Sequence, residues 1–283
     1  MKFIIVAECL LSIGILGAKP QEHPSVSDSH VTRGIALAAK GDLEEAMVEF
    51  RAAIRLKPDD PIAHYNLGNA FFSTGKLRNA IVEYRKAVRF KPDYANAHCN
   101  LGNALRDSGD LDGAIMEFKE AIRLEPNYGA AHCGLGNALE MKGDKDGAIV
   151  VYREALRIEP QNAEAHFGLG VCLGAKGELD DAILEYREVI RLKPGYVEAI
   201  VNLGIALYFK GDMDSVIAQF REAIRIKPDF APAHFNLGKA FEERKEKTAA
   251  LEEYRRASQI NRENVLYRDN YRRLAKELGK QGL

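Results

Sequence analysis

Apolar residues recur along most of the chain at intervals of three and four, the spacing that places them on one face of an α-helix. Within 61–94 this pattern predicts one helix over about 62–73 and a second over about 77–90. The first helix should end near Gly75, because glycine adopts the left-handed conformation that terminates helices. The second should end before Pro92, since the residue preceding a proline avoids helical geometry. Loops this short make the two helices antiparallel neighbours.

The helix pair recurs every 34 residues when position 1 of the repeat is set at Ser27. Position 8 is Gly in all seven copies, position 24 is Phe or Tyr, and positions 20 and 27 are Ala or Val. Position 32 is Pro in the first six copies and Arg262 in the last. This agreement is specific enough to predict one tandem array over most of the chain. The repeats occupy 27–60, 61–94, 95–128, 129–162, 163–196, 197–230 and 231–264.

One side of each first helix is predicted to form the core. A helix turns by about 100° per residue, so positions 4, 7, 8 and 11 share one arc. In the second repeat these positions are His64, Leu67, Gly68 and Phe71. We expect Gly68 to let two helix backbones approach closely and Tyr84 to fill the space between repeats. No repeat can bury this face alone, so the repeats must stack into a contiguous core.

Position 4 carries histidine in six of the seven repeats. Stacked neighbours are separated by helix layers about 8–10 Å apart, whereas ligands of a shared metal lie at about 2 Å from it. The packing arc accounts for position 4 without a metal, so we predict that these histidines are structural. They are His30, His64, His98, His132, His166 and His234.

A 34-residue helix pair with these residues at positions 8, 20, 24, 27 and 32 resembles the tetratricopeptide repeat. The resemblance covers 27–264 and implies an all-α fold, a right-handed α-solenoid of tandem helix pairs with a C-terminal capping helix. The chain departs from the family pattern at position 4, which is often large and apolar. It also has Arg33 where leucine is expected, and the last repeat has Lys245 in place of the turn glycine.

The segment 265–283 reads as one more helix without a partner, followed by a tail. Its basic residues suit a solvated outer face, and a solenoid needs a polar end to avoid end-to-end association. We therefore predict a capping helix. The basic residues are Arg268, Arg272, Arg273 and Lys276.

Residues 1–26 differ from the repeats and form a signal-like or disordered leader. Lys2 precedes a short apolar run that ends in small residues, as in secretory signals, but Glu8 lies inside the run and Leu16 replaces a small residue before Ala18. The run is short for a membrane span. The chain is predicted to be exported or envelope-associated if 1–18 is a signal, and cytoplasmic otherwise. Any membrane contact should involve this segment alone.

Charge and motifs exclude several classes of function. The formal net charge of -1 gives no general attraction to nucleic acid. The second helices carry Arg at position 29 with Glu three residues earlier in four repeats, as in Glu120 and Arg123, which suits a solvated convex face. The four cysteines include no C-x-x-C pair, and the G-x-S-x-G, H-E-x-x-H and P-loop motifs are absent from the sequence. We expect no enzymatic activity, cofactor, metal or small-molecule substrate.

The opposite arc of the first helices carries the candidate binding residues. In the family this side lines a concave groove that binds partner peptides, so the resemblance implies such a groove here. Asparagines recur at positions 6 and 9, and an amide can hydrogen-bond a peptide backbone. Similar asparagine ladders occur in the tetratricopeptide region of O-GlcNAc transferase. The candidates are Tyr65, Asn66, Asn69, Phe72, Asn100, Asn103, Arg106, Asn137, Phe167, Asn202, Tyr208, Phe209, Phe235, Asn236 and Lys239.

Two readings of this surface remain open. The asparagines either contact a partner or bond a neighbouring helix or water. Accordingly, we expect a non-catalytic protein–protein interaction scaffold that binds a peptide segment or helix of another protein in the groove. The alternative is a structural or self-associating subunit that acts through its convex face or its ends.

Overall fold

The computed structural model of the protein describes residues 25–279. All regular secondary structure in this range is α-helical, and the helices follow one another through short turns. The first helices of the repeats are α1 (Val26–Lys40), α3 (Pro61–Ser73), α5 (Ala95–Asp107), α7 (Gly129–Lys142), α9 (Ala163–Lys176), α11 (Val197–Lys210) and α13 (Ala231–Glu243). The second helices are α2 (Leu43–Leu56), α4 (Leu77–Phe90), α6 (Leu111–Leu124), α8 (Lys145–Ile158), α10 (Leu179–Leu192), α12 (Met213–Ile226) and α14 (Lys247–Ile260). A final helix, α15, spans Val265–Glu277.

Helix ends lie where local sequence signals predict them. In the second repeat, α3 and α4 begin and end within one residue of the predicted bounds. Gly75 adopts a φ of 71° in the turn between them. The last repeat makes the same turn without glycine, because Lys245 itself adopts a φ of 63°. That backbone conformation is uncommon for a residue with a Cβ atom, so the seventh repeat retains the turn at some cost in strain.

The glycine at position 8 accommodates an aromatic ring, and at Gly238 a backbone carbonyl oxygen also lies close by. A Cβ atom on Gly68 would lie 2.6 Å from Cε1 of Tyr84, in the second helix of the same repeat. The ring at position 24 also reaches the next repeat. A Cβ atom on Gly134 would lie 2.5 Å from Cε1 of Phe118. As predicted, the ring fills the space between repeats, and it does so by packing on both first helices.

The curvature of the stack separates an inner from an outer surface. Each helix packs on the helices that precede and follow it. Consecutive first helices also contact each other; examples are the pair α5 and α7 and the pair α7 and α9. In the part of the chain described, consecutive second helices are not in comparable contact with one another. Because the first helices are the more closely spaced set, they line the concave side.

The outer surface is solvated and carries paired charges. Glu120 and Arg123 form the predicted i,i+3 pair, with a 2.6 Å distance between Oε1 and the guanidinium Nη2. The equivalent pairs recur at Glu154 with Arg157, Glu188 with Arg191 and Glu222 with Arg225. Such exposed pairs contribute little stability, typically about 0–1 kcal/mol each. They make the convex face hydrophilic.

The helix α15 closes the end of the array by packing on α14. Its Tyr267 and Leu274 are buried against the last repeat. The prediction that its basic residues face solvent is confirmed for Arg272, Arg273 and Lys276 and wrong for Arg268. Arg273 donates from Nη2 to Oε2 of Glu242 at 2.8 Å and so binds α15 back to α13. Arg268 is half-buried rather than exposed.

The predicted leader falls almost entirely outside the described residues. Only its last two residues are included, and there Ser25 caps α1 by accepting a hydrogen bond from the backbone N–H of Asp28. The predictions of a signal and of the protein's location therefore concern residues that the structure does not describe. Among the helices it does describe, none is long and apolar enough to cross a membrane.

Candidate functional site

The histidines at position 4 belong to the framework beneath the groove. His64 is 2% exposed, and its Nδ1 lies 2.5 Å from Oε2 of Glu83 in the second helix of the same repeat. Its Nε2 lies 2.9 Å from the carbonyl oxygen of Pro58, at the end of the preceding repeat. His64 thus links the two helices of its repeat to the repeat before it, and the same pair of contacts recurs at His98, His166 and His234. The glutamate at position 23 is the partner that the sequence analysis missed.

His98 has both kinds of acceptor. Its Nδ1 lies 2.6 Å from Oε2 of Glu117, and its Nε2 lies 3.0 Å from the carbonyl oxygen of Pro92. Burial opposes protonation of His98, but the hydrogen bonds to Glu117 and Pro92 outweigh it and raise the pKa of the imidazole. A carboxylate and a carbonyl can only accept, so the doubly protonated ring satisfies both at once. His132 has only the carbonyl of Pro126, because position 23 of its repeat is Val151.

Most asparagines of the ladder are held by intramolecular hydrogen bonds. Oδ1 of Asn69 accepts from the hydroxyl of Tyr84 at 2.8 Å and from Nδ2 of Asn100 at 2.8 Å. Asn100 also donates to the hydroxyl of Tyr65 at 3.1 Å, so the amides join the second and third repeats. These residues therefore bond neighbouring helices, as one of the two readings of the ladder expects.

Other members of the ladder are bound to their own helix or to a neighbouring tyrosine. Asn66 and Asn236 donate to backbone carbonyls four residues earlier, which leaves them as surface side chains of α3 and α13. Oδ1 of Asn137 accepts from the hydroxyl of Tyr152 at 2.6 Å. Asn202 lies beside the hydroxyl of Tyr186 in the preceding helix, α10.

Asn103 differs from the other asparagines at position 9. The ring that lies beneath it comes from Phe118, which has no hydroxyl group to donate. Within residues 25–279 the half-buried side chain of Asn103 makes no hydrogen bond. Its amide therefore has both of its N–H donors and its oxygen available to a ligand.

Three aromatic candidates at position 5 are half-buried between repeats. Each packs at a tilt against an aromatic ring near the start of the following helix: Tyr65 with Tyr94, Phe167 with Tyr196 and Phe235 with Tyr267, at centroid distances of 4.9, 5.0 and 4.8 Å. Each of these rings is therefore held in place by packing on neighbouring aromatic rings, which leaves only part of its surface exposed.

Position 5 of the third and fourth repeats is cysteine, and these two cysteines are buried in the same layer between repeats. Cys99 is 2% and Cys133 6% exposed. Burial raises the pKa of each thiol to about 11. A thiol with so high a pKa holds very little thiolate near neutral pH and is a packing residue.

Toward the C-terminal end the groove becomes aromatic and then acidic. The hydroxyl of Tyr208 donates to Oε1 of Glu243 at 3.0 Å, and Nζ of Lys239 lies 5.8 Å from the centre of the Tyr208 ring. Phe209 is 69% exposed, and it is the only aromatic side chain in the described range that is so open to solvent.

Four of the predicted residues come together in one depression. Phe72, Asn103, Arg106 and Asn137 contribute to its wall, and its volume is about 650 Å³. The other lining residues are Asp107, Ala130, Cys133, Gly134, Glu140, Met141, Asn162 and Glu164. Of these, Glu164 stands at position 2 of its repeat, on the arc already assigned to the groove, so its helical position was the available signal.

The charge in this depression is acidic. Nη2 of Arg106 is 2.8 Å from Oδ1 of Asp107, so the one cation in the lining is neutralised by its neighbour. Glu140 accepts from the hydroxyl of Tyr152 at 3.0 Å and has no cationic partner in the described residues. Glu164 is exposed and its nearest cation is Lys193 at 3.8 Å. An occupant that is neutral or basic would suit this surface.

Within the described residues no group of three or more His, Cys, Asp and Glu side chains could hold a metal ion. The described residues of the groove are mainly amides, aromatic side chains and carboxylates.

Family models match the repeats along the array. A model described as TPR repeat matches residues 34–75, 68–105, 102–143, 142–176 and 206–245. Models described as tetratricopeptide repeat match 163–196 and 231–264. The chain belongs to the tetratricopeptide repeat family. Its fifteen described helices are seven repeats and one further helix, as predicted.

Solved structures of other tetratricopeptide proteins are similar to this chain. YrrB, described as a TPR protein with an unusual peptide-binding site, is 27% identical over 65% of this chain and 95% of YrrB, with a TM-score of 0.55. A tetratricopeptide protein from Parabacteroides merdae is 17% identical over 88% of this chain and 98% of its own, with a TM-score of 0.66. In the Cut9-Hcn1 hetero-tetramer the matching chain is 16% identical, covers 89% of this chain and 49% of its own, and has a TM-score of 0.70.

All three structures support the tetratricopeptide solenoid fold, although their sequence identities to this chain range from 16% to 27%. No curated protein sequence matches the chain. Tetratricopeptide proteins generally mediate protein–protein interactions and are typically scaffolds without catalytic activity of their own.

Proposed function

We propose that this tetratricopeptide array is a non-catalytic scaffold that binds a peptide segment of another protein in its concave groove. The peptide would cross the depression formed by the second to fifth repeats, with its backbone bonded to the free amide of Asn103. The observation that carries the proposal is that Asn103 has no intramolecular partner, whereas Asn69 and Asn137 at the same position do.

The groove is preformed, which favours binding. Asn69 and Asn100 are locked to each other and to tyrosines, so the wall around Asn103 is rigid before a ligand arrives. A rigid site avoids the entropic cost of ordering side chains on binding, about 0.5–1.5 kcal/mol for each flexible side chain. The acidic lining supports a peptide that is neutral or carries basic residues.

Photo-crosslinking tests where the partner binds. A photoreactive phenylalanine analogue would replace Met141, which is 60% exposed and lines the depression. A matched control replaces Val150, which is 66% exposed on the next helix, α8, and does not line the depression. Cross-linking from position 141 and not from position 150, followed by mass spectrometry of the adduct, is the expected result. Adducts from position 150 alone would favour the alternative, in which the convex face makes the contacts.

Two asparagine variants then separate binding from structure. Asn103→Ala should weaken binding of the identified peptide by calorimetry and leave the urea unfolding curve unchanged, because it breaks no intramolecular hydrogen bond. Asn69→Ala removes the acceptor of two hydrogen bonds and should lower the stability by about 0.5–3 kcal/mol. The proposal fails if Asn103→Ala binds the peptide as tightly as the wild-type chain does.

A further inference from the structure

A glycine on the inner wall of the groove serves no packing purpose. Gly174 stands at position 12, where the other repeats have Ala, Phe, Arg, Glu, Tyr and Glu. A Cβ atom on Gly174 would meet only Oη of Tyr186 at 3.6 Å and Cβ of Ala182 at 3.8 Å, which are ordinary contacts. Glycine inside a helix lowers its stability, and nothing in the local packing requires one here. This contrasts with Gly68, where a Cβ atom would lie 2.6 Å from a buried ring.

The missing side chain leaves a cavity between α9 and α11. Its volume is about 200 Å³. It is lined by Val171, Gly174, Ala175, Leu179, Tyr186, Asn202, Ile205, Ala206 and Phe209. At position 9 the fifth and sixth repeats carry Val171 and Ile205 in place of asparagine, so the groove changes from amide to apolar at this point.

The cavity has few polar groups. They are the hydroxyl of Tyr186 and the amide of Asn202, which lie next to each other, and no charged residue contributes to the lining. A charged ligand would therefore lose hydration without gaining an oppositely charged partner. The mostly apolar walls of the cavity therefore favour an apolar group as the ligand.

The rim of the cavity carries exposed apolar surface. Phe209 is 69% exposed, and its ring stands edge-on to that of Tyr208 at a centroid distance of 5.7 Å. An aromatic ring so exposed beside an apolar cavity is positioned to cover whatever enters it. The cavity also shares α9 with the depression around Asn103, since Glu164 lines one and Val171 the other.

We propose that this cavity is the anchor pocket of the groove and takes one aliphatic or aromatic side chain of the bound peptide. The inference rests on the proposed function, because it assigns the peptide's specificity to the cavity at Gly174. The cavity is open to the groove, and its volume of about 200 Å³ exceeds the roughly 150 Å³ in which an enclosed apolar cavity holds benzene, so a side chain of leucine or phenylalanine size has room to enter.

Methyl NMR of the full chain tests the pocket with defined probes. The probes are N-acetyl-leucine amide, N-acetyl-phenylalanine amide and N-acetyl-lysine amide. We expect saturable shifts of the methyl groups of Val171, Ile205 and Ala206 with the leucine and phenylalanine probes and none with the lysine probe. Equal shifts with the lysine probe, or none with any, would overturn the proposal.

Two variants of the glycine provide matched controls. Gly174→Leu should fill the cavity with its own side chain and abolish the shifts, while the thermal stability is retained or raised. Gly174→Ala adds one methyl group within ordinary contact distance and should keep the shifts. Persistence of leucine-probe binding in Gly174→Leu would show that the probe binds elsewhere.

The same variants distinguish this inference from the proposed function. For the peptide identified by cross-linking, Gly174→Leu should weaken binding by roughly tenfold to a hundredfold, the loss expected when one buried apolar side chain is displaced. If the peptide binds but Gly174→Leu leaves its affinity unchanged, the anchor pocket is wrong and the scaffold function stands. If no peptide binds the groove while the leucine probe still titrates, the scaffold function fails.

Discussion

The hydrogen bond between His98 and Glu117 should make the stability of the array depend on pH. The imidazole lies between the carboxylate of Glu117 at 2.6 Å and the carbonyl of Pro92 at 3.0 Å. Burial opposes its charge, but these hydrogen bonds and the negative charges of Glu117 and Glu120 raise its pKa. The folded chain therefore keeps a proton that the unfolded chain releases near pH 6.5, at about the ordinary pKa of histidine. The resulting stability is fully present below that pH and is lost as the pH rises through the pKa of folded His98.

Glu117→Gln is the perturbation that isolates this effect. The side chains of His98 and Glu117 are 11% and 23% exposed, so the hydrogen bond is largely shielded from water. A hydrogen bond to a charged group contributes about 1.5–3 kcal/mol and a neutral one about 0.5–1.5 kcal/mol. The variant should therefore be about 1 kcal/mol less stable at pH values near 6, roughly a fivefold change in the unfolding equilibrium constant.

Urea unfolding followed by circular dichroism measures the loss, and NMR titration of the imidazole gives the pKa of His98. The difference between variant and wild type should narrow as the pH rises through that pKa. Glu125→Gln is the control, because Glu125 is exposed and forms no ion pair in the described residues. The reasoning is refuted if Glu117→Gln is as stable as the wild type near pH 6, or if the two lose stability in parallel as the pH rises.

Three further substitutions or reactions test the packing. Gly68→Ala should destabilise the chain by about 1–3 kcal/mol in urea unfolding, because its Cβ atom would lie 2.6 Å from the Tyr84 ring, whereas Gly174→Ala at an open position should not. Tyr84→Phe should cost about 0.5–1.5 kcal/mol through loss of the hydrogen bond to Asn69, and an unchanged urea midpoint would contradict the assigned bond. Cys99, buried and with a pKa raised to about 11, should react with a thiol reagent at neutral pH only after unfolding; rapid labelling of the folded chain would contradict its burial.

The helices and the repeat could be predicted from the sequence because their causes are local. Gly75 and Pro92 terminate helices through their own backbone preferences, which need no distant partner. The hydrophobic period of each helix and its return every 34 residues determine that the helices pair and stack. Family membership follows from the same local pattern.

The roles of individual groove residues depended on contacts between helices. Asn69, Asn103 and Asn137 are identical in type and in position within the repeat. Two of them accept a hydroxyl hydrogen bond, and Asn103 does not, because the ring packed beneath it is phenylalanine. The sequence shows that position 24 is phenylalanine in the repeat of Asn103 and tyrosine in the other two. Its effect on the hydrogen bonding of the asparagine depends on the packing of position 24 against position 9.

By itself, then, the sequence determined the helix bounds, the seven repeats and which arc of each first helix is buried, since backbone propensity and hydrophobic period act over a few residues. The tertiary structure alone decided that Glu83 hydrogen-bonds His64, 19 residues away, and that a cavity opens at Gly174. Both depend on side chains that meet from helices distant in sequence. Distances of this kind are set by how helices stack, which a linear pattern of residues does not specify.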